Sequence, residues 1–173
     1  AIEDPNPRVG GRGLEYLRNN GVEVEVGAMA GAVRQLNRAF FTYITERRPL
    51  VTIKAALSLD GMVASQRGAR TALTGPESNI VVHLERAEVD AIAIGSETLL
   101  VDDPLLTARH VYRERPLTRV VFDRRLRIPT SAKLFSTLDA GPVVVISMAH
   151  EDAQRRDKAG ALVDAGAQVE LIE

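Results

Sequence analysis

The segment Ala91-Ile92-Ala93-Ile94-Gly95 would carry no polar side chain on either face of a strand. A run of this kind is stable in a sheet covered on both sides, the condition of parallel α/β architectures. Related runs flank it. Leu50-Val51-Thr52-Ile53-Lys54-Ala55-Ala56-Leu57 reads as a buried strand holding a single charge. Arg119-Val120-Val121-Phe122-Asp123, Pro142-Val143-Val144-Val145-Ile146 and Ala167-Gln168-Val169-Glu170-Leu171-Ile172 read as three more strands. Helices or long crossovers separate them. Thr74 and Glu77 have capping-box spacing, and the helix they open carries Ile80, Val81, Leu84 and Ala87 on one face. Ser96 to Leu100 forms a short turn or helix, and Ala149 to Ala165 a polar-faced helix. From Pro49 onward this order specifies an α/β domain with a largely parallel sheet.

A different piece precedes it. Thr45-Glu46-Arg47-Arg48-Pro49 is a polar break ending in proline, which divides the chain into residues 1–45 and 49–173. Asp4-Pro5-Asn6-Pro7 is turn or extended chain, since each proline biases its predecessor away from helix. Gly10-Gly11-Arg12-Gly13 then opens a helix that Asn19-Asn20-Gly21 closes. Val22-Glu23-Val24-Glu25-Val26 alternates as a strand with one wet face, and Leu36, Ala39, Phe40 and Ile44 recur at helical spacing. Helix, strand, helix is too little to close a core alone, and both ends of the sequence read as cut.

Composition removes several function classes. The 173 residues hold 22 Lys+Arg against 23 Asp+Glu, so nothing draws the chain in general toward nucleic acid or an anionic membrane. Aromatics are 4% with no Trp, too few for base-stacking platforms. The absence of Cys excludes a disulfide framework, a thiolate zinc site and a cysteine nucleophile. No segment reaches the roughly 20 apolar residues of a membrane-spanning helix. The first residues lack the basic and apolar regions of a signal peptide, so a cytoplasmic location is expected.

The familiar nucleotide loops are missing. Gly10-Gly11-Arg12-Gly13 follows no strand and lacks the third glycine of a dinucleotide loop, so it reads as a tight turn. His83, His110 and His150 have no metal-ligand spacing, and His83 reads as a satisfied or exposed helical histidine. Four other features remain. Lys54 is either a functional ammonium facing a cleft or an edge-strand lysine whose head reaches water. Asp102 and Asp103 follow a strand at the carboxyl end of the sheet, where α/β proteins bind ligands, yet the residues alone favour a proline turn with a capping carboxylate. Arg86 suits the end of its helix, and Arg109 stands alone in a loop. Arg113, Arg115, Arg119, Arg124, Arg125 and Arg127 face only Glu114 and Asp123, as a phosphate holder or as a solvated loop.

A resemblance adds to this reading. Arg48-Pro49-Leu50-Val51-Thr52-Ile53-Lys54, Ser58-Leu59-Asp60-Gly61, Leu73-Thr74-Gly75, Arg86-Ala87-Glu88-Val89-Asp90-Ala91-Ile92 and Asp102-Asp103-Pro104-Leu105-Leu106-Thr107-Ala108-Arg109 stand in that order. They resemble the reductase domain of the bifunctional riboflavin-biosynthesis deaminase–reductases. Asp4-Pro5-Asn6-Pro7, Gly11-Arg12-Gly13 and Leu36-Asn37 resemble the tail of the same family's cytidine-deaminase-like domain. The resemblance implies a dihydrofolate-reductase-like fold from about Pro49 and NADPH-dependent reduction of 5-amino-6-(5-phosphoribosylamino)uracil to the ribitylamino compound. It implies that Lys54 reaches the reacting centre, with Asp102 as its catalytic companion. Asp102 and Thr98 would line the nicotinamide ribose, and Ala56 would let the cofactor approach the backbone. Arg86, Leu106 and Arg109 would hold the substrate. Arg70 and Ala72 occupy places where relatives often carry a substrate-contacting Ser and a cofactor-contacting Trp, and Arg124 replaces a frequent Ser of the cofactor site. The family's zinc ligands and its His-x-Glu are not in this sequence, so neither a metal site nor deaminase activity is expected of it. A small phosphoribosylamino-pyrimidine substrate and a homodimer are implied, with no nucleic-acid or membrane partner. Two alternatives remain: a reductase acting before deamination on the 2,5-diamino pyrimidinone, and a non-catalytic nucleotide-binding module.

Overall fold

The computed structural model describes residues 2–149 and 152–173, which form two compact units, Ala1–Lys54 and Ala55–Glu173. The first unit carries helices α1 (Arg12–Asn19), α2 (Ala30–Leu36) and α3 (Arg38–Glu46), none with a buried residue. The Asp4 and Asn6 carboxyl and amide oxygens accept the backbone N–H groups of Asn6 and Arg8 at 2.8 and 3.0 Å, the turn that the prolines require. Two expectations fail here. The single helix expected between Ala32 and Ile44 is broken at Asn37, whose φ of -103° and ψ of 22° leave the helical region. Its side-chain amide donates to the Val33 carbonyl at 2.9 Å and ends α2. Val22 to Val26 forms no strand. Alternation specifies which face would be wet, but a strand needs a ladder partner, and this unit offers only helices.

The second unit is the parallel α/β domain anticipated. It runs through α4 (Pro76–Glu88), β1 (Ala91–Gly95), α5 (Ser96–Asp102), β2 (Thr118–Phe122), a kinked 3-10 segment (Lys133–Ala140), β3 (Val143–Met148), α6 (Ala153–Asp164) and β4 (Ala167–Ile172). The four strands lie side by side in sequence order, all parallel. Ile94, Val121, Val145 and Val169 stand in register across them. This face packs on Leu99 of α5, Leu134 of the 3-10 segment and Leu162 of α6, with Leu126 and Ile128 closing the core. Each such aliphatic side chain, fully buried, contributes about 1.5–3 kcal/mol. The expected start of α6 at Ala149 runs over His150 and Glu151, which lie outside the described residues.

Three local expectations are corrected. Leu50 to Leu57 is not a buried strand: it joins none of the sheet's ladders, and Val51, Ile53 and Leu57 are exposed. An apolar run becomes a strand only when an edge accepts its backbone, which hydropathy does not specify. The Thr74–Glu77 capping box does not form. Pro76 occupies the first helical position, where its missing N–H costs nothing, and the cap falls on Gly75. The α4 side carrying Ile80, Val81 and Leu84 is exposed; the half-buried side is that of Val82, His83, Arg86 and Ala87. The second face of the sheet is also covered only in part among the described residues, with Phe122 exposed.

Gly141 sets the turn into β3. Its φ is 147°, and a Cβ there would lie 2.2 Å from the Leu117 carbonyl oxygen, an immovable backbone atom. Gly141→Ala is therefore expected to destabilise the chain by about 2–3 kcal/mol through strain and overpacking, read as a lower urea midpoint. An unchanged midpoint would mean that the turn has room to relax.

Candidate functional site

In a parallel sheet every strand delivers its following loop to the same side, so the loops after β1 and β2 gather at one end. β1 passes at Gly95 directly into α5, and β2 ends one residue before Asp123. Asp123 is 1% exposed. One of its carboxylate oxygens accepts the backbone N–H groups of Arg127 and Ile128, folding the chain back so that Leu126 reaches the core with φ at 49°. The other oxygen is buried without a hydrogen-bond partner, 4.0 Å from Arg127 Nε. Arg127 in turn donates to Glu97 Oε2 at 3.0 Å and to Ser96 Oγ at 2.9 Å, tying this loop to the start of α5.

A cavity of about 290 Å³ opens there, lined by Arg67, Ser96, Glu97, Asp123, Arg124, Arg125 and Arg127. Four guanidiniums against two carboxylates make it a cationic recess. Arg67 and Arg125 have no hydrogen bond or ion pair among the described residues, so their donors remain available to an anion.

A second cationic group lies between α4 and the loop that follows α5. Arg86 Nη1 donates to the Thr107 carbonyl at 3.2 Å, and the Arg109 backbone N–H donates to His83 Nδ1 at 3.1 Å. Arg109 Nη2 is 3.4 Å from His83 Nε2. Burial first, and the Arg109 charge second, hold the Arg86 guanidinium below its ordinary value. The same order applies at His83, where burial and then Arg86 and Arg109 press the imidazole below its usual range. No ion pair reaches Arg86 or Arg109 among the described residues. Arg113 braces the group from below, donating to the Arg86 and Ala87 carbonyls at 2.9 and 2.7 Å.

The two neighbouring aspartates separate. Asp103 is the capping carboxylate: its Oδ1 accepts the Lys133 backbone N–H at 2.9 Å, at the start of the 3-10 segment. Asp102 ends α5 one turn after Thr98, half-buried, with no hydrogen bond or ion pair to its carboxylate among the described residues. Leu106 is 3% exposed, with φ at 55°. Arg109 is exposed and Arg86 half-buried. Ala56 is half-buried, while Arg70 and Ala72 are exposed; none of the three lines the cavity. Lys54 is exposed at the end of the first unit, whereas Asp102 belongs to the second.

The arginine cluster read from the sequence dissolves into separate tasks. Arg115 pairs with Asp90 at 2.9 Å on the surface. Arg119 is fully buried and is a structural residue, not a ligand holder. Arg124, Arg125 and Arg127 alone reach the cavity, joined by Arg67 from a distant loop. One participant, Arg67, escaped sequence reasoning, whereas His83 is the satisfied helical histidine that the sequence suggested. Arg67 carries no local signal. His83 sits three residues before Arg86, a spacing that places both on one helix face.

Comparison with known proteins agrees with this architecture. Residues 49–172 match the family model described as the RibD C-terminal domain. The riboflavin biosynthesis protein RibD of Aquifex aeolicus is 41% identical over 163 residues, covering 94% of this chain and 46% of that protein. The Bacillus amyloliquefaciens protein of the same name is 33% identical, covering 94% and 43%. The chain thus spans about half the length of the curated relatives it matches. Among solved structures, Acinetobacter baumannii RibD superposes with a TM-score of 0.80 at 31% identity, over 100% of this chain and 47% of that one. A Thermotoga maritima structure, described as a diaminohydroxyphosphoribosylaminopyrimidine deaminase/5-amino-6-(5-phosphoribosylamino)uracil reductase, gives 0.76 at 30% identity, covering 98% and 51%.

Proposed function

Because the chain belongs to the RibD C-terminal domain family, we propose that it contributes a reductase domain acting in riboflavin synthesis. Its substrate is 5-amino-6-(5-phosphoribosylamino)uracil, its cofactor NADPH, and its working form a cytoplasmic homodimer. The observation that carries this reading is the presence of two separate pairs of guanidiniums, Arg67 with Arg125 and Arg86 with Arg109, that have no carboxylate partner among the described residues. A reductase that joins a phosphorylated cofactor to a phosphorylated sugar needs two anion sites.

The recess at the carboxyl ends of β1 and β2 suits the cofactor. Arg67 and Arg125 supply free donors, and Ser96 and Arg124 add polar lining. Thr98 and Asp102, one turn apart on α5, are assigned to the nicotinamide ribose, with Ala56 and Ala72 as further cofactor neighbours. Arg86 and Arg109 suit the substrate phosphate, which guanidiniums bind in bidentate fashion, and Leu106 and Arg70 are assigned to the same substrate. When bound, NADPH supplies a hydride for the anomeric carbon of the ring-opened imine. Lys54 is assigned to donate the proton that the imine nitrogen takes up, and Asp102 to orient the reacting groups.

The test follows NADPH absorbance in the presence of the substrate. Oxidation dependent on that substrate supports the reading, and NADPH binding without oxidation would instead identify a nucleotide-binding module. Arg125→Ala is expected to raise the KM for NADPH about 10-fold through loss of a charge-assisted contact, while the KM for NADH stays nearly constant. Equal effects on the two cofactors would remove Arg125 from the phosphate site.

A further inference from the structure

The loop after α5 contains Arg109, but nothing in its own sequence holds that arginine in place. Leu106 and His110 both have positive φ, 55° and 62°, so the backbone reverses twice within five residues. Two side chains of α4 fasten it. Arg86 takes the Thr107 carbonyl, and His83 Nδ1 takes the Arg109 N–H at 3.1 Å. The second bond has a chemical condition: Nδ1 must carry a lone pair, which a protonated imidazole lacks.

We propose that His83 is a positioning residue, whose Nδ1 lone pair fixes the Arg109 backbone so that Arg86 and Arg109 present their guanidiniums together to one phosphate monoester. The assignment rests on the phosphate-binding reading of that arginine pair. Burial first, and then the charges of Arg86 on its own helix and of Arg109 and His110 on the facing loop, disfavour protonation of His83, while the Thr107 carbonyl opposes them. The imidazole therefore keeps its acceptor to a lower pH than an ordinary histidine would. Protonation then has two effects. It removes the acceptor for the Arg109 N–H, which frees the loop, and it adds a positive charge that attracts the phosphate and offsets part of that loss.

The experiment uses the whole chain, with ribose 5-phosphate as probe and isothermal calorimetry as readout, at pH 7.5 and in steps down to pH 5. Two variants carry it. His83→Asn places its Oδ1 close to the position of Nδ1 and keeps an acceptor there at every pH. His83→Leu removes the acceptor. At pH 7.5 the leucine variant is expected to bind about 5- to 20-fold more weakly than wild type, and the asparagine variant within about 2-fold. The probe's own second ionisation, with pKa about 6, weakens all three proteins alike as pH falls. Wild type is expected to lose an additional about 5-fold relative to His83→Asn across the histidine titration. Thermal melting of the variants reports that the fold is kept.

The outcomes separate cleanly. Wild-type binding matched by His83→Leu overturns the positioning role and leaves the phosphate reading standing. Failure of His83→Asn to restore binding, or identical pH profiles for it and the wild type, also overturns the role. Absence of ribose 5-phosphate binding by the wild type sinks the phosphate reading and this inference with it.

Discussion

Arg119→Leu is expected to lower the stability of the chain by about 3–4 kcal/mol. The Arg119 side chain points from β2 into the core and is 0% exposed, yet it forms no ion pair with a carboxylate among the described residues. Its guanidinium instead donates to the carbonyls of Leu105, Leu134, Thr137 and Gly141 and to Thr137 Oγ1, at 2.9 Å for Leu134 and 2.7 Å for the hydroxyl. Three separate segments are thereby fastened to one strand: the loop after α5, the 3-10 segment and the turn before β3. Leucine fills much of the volume but strands those acceptors in the core, and each buried group left unsatisfied costs about 1–3 kcal/mol. Some of that loss is recovered where the acceptors find water or a neighbouring N–H. Arg119→Lys should recover only part of the stability, since an ammonium has three donors on one atom where the guanidinium spreads its donors over a fork. Guanidinium chloride unfolding monitored by far-UV circular dichroism measures both. A leucine variant as stable as its parent would show that the carbonyl cage holds nothing together.

Lys54→Ala is expected to reduce kcat for the proposed reductase by at least about 100-fold, the usual magnitude for losing a positioned proton donor. The KM for NADPH should change little, because the assigned role of Lys54 concerns the substrate nitrogen and not the cofactor phosphates. Lys54 is exposed and lies in a segment without regular structure, so the substitution removes no core contact and the fold should be indifferent to it. Asp102→Asn serves as the companion variant: it keeps the shape of the α5 terminus and removes the charge. Full rates in both variants would refute the catalytic assignment while leaving the family and the fold untouched. A steady-state assay of NADPH consumption, with cofactor affinity measured separately, distinguishes these results.

Much of this could be read from residue order. Ala91–Gly95 and Ala167–Ile172 occupy the ranges that their apolar runs mark out, and the alternation of strand and crossover specifies the parallel sheet. These features are local in origin: hydropathy and turn chemistry act within a few residues, and parallel pairing follows from the crossovers. The 3-10 segment Lys133–Ala140 escaped notice, because its few buried positions make no periodic pattern. Lone charges were the hardest residues to interpret. Six arginines close together in sequence looked alike, and only their surroundings distinguish the buried Arg119 from the surface pair Arg115–Asp90 and the cavity residue Arg125. Asp102 and Asp103 are equally alike on paper. One became a cap because the Lys133 N–H, 30 residues away, came within reach of it.

The order of residues by itself determined the class of fold, the family, and many of the cations and carboxylates that the candidate sites use. Tertiary structure alone decided which of them act together. It brought Arg67 to Arg125, set His83 against the Arg109 backbone, and withdrew Arg119 into a cage of carbonyls. The physical reason is that a charged side chain has no intrinsic role. Its energy depends on the dielectric, the donors and the acceptors within a few ångströms, and those are supplied by segments that sequence leaves far apart.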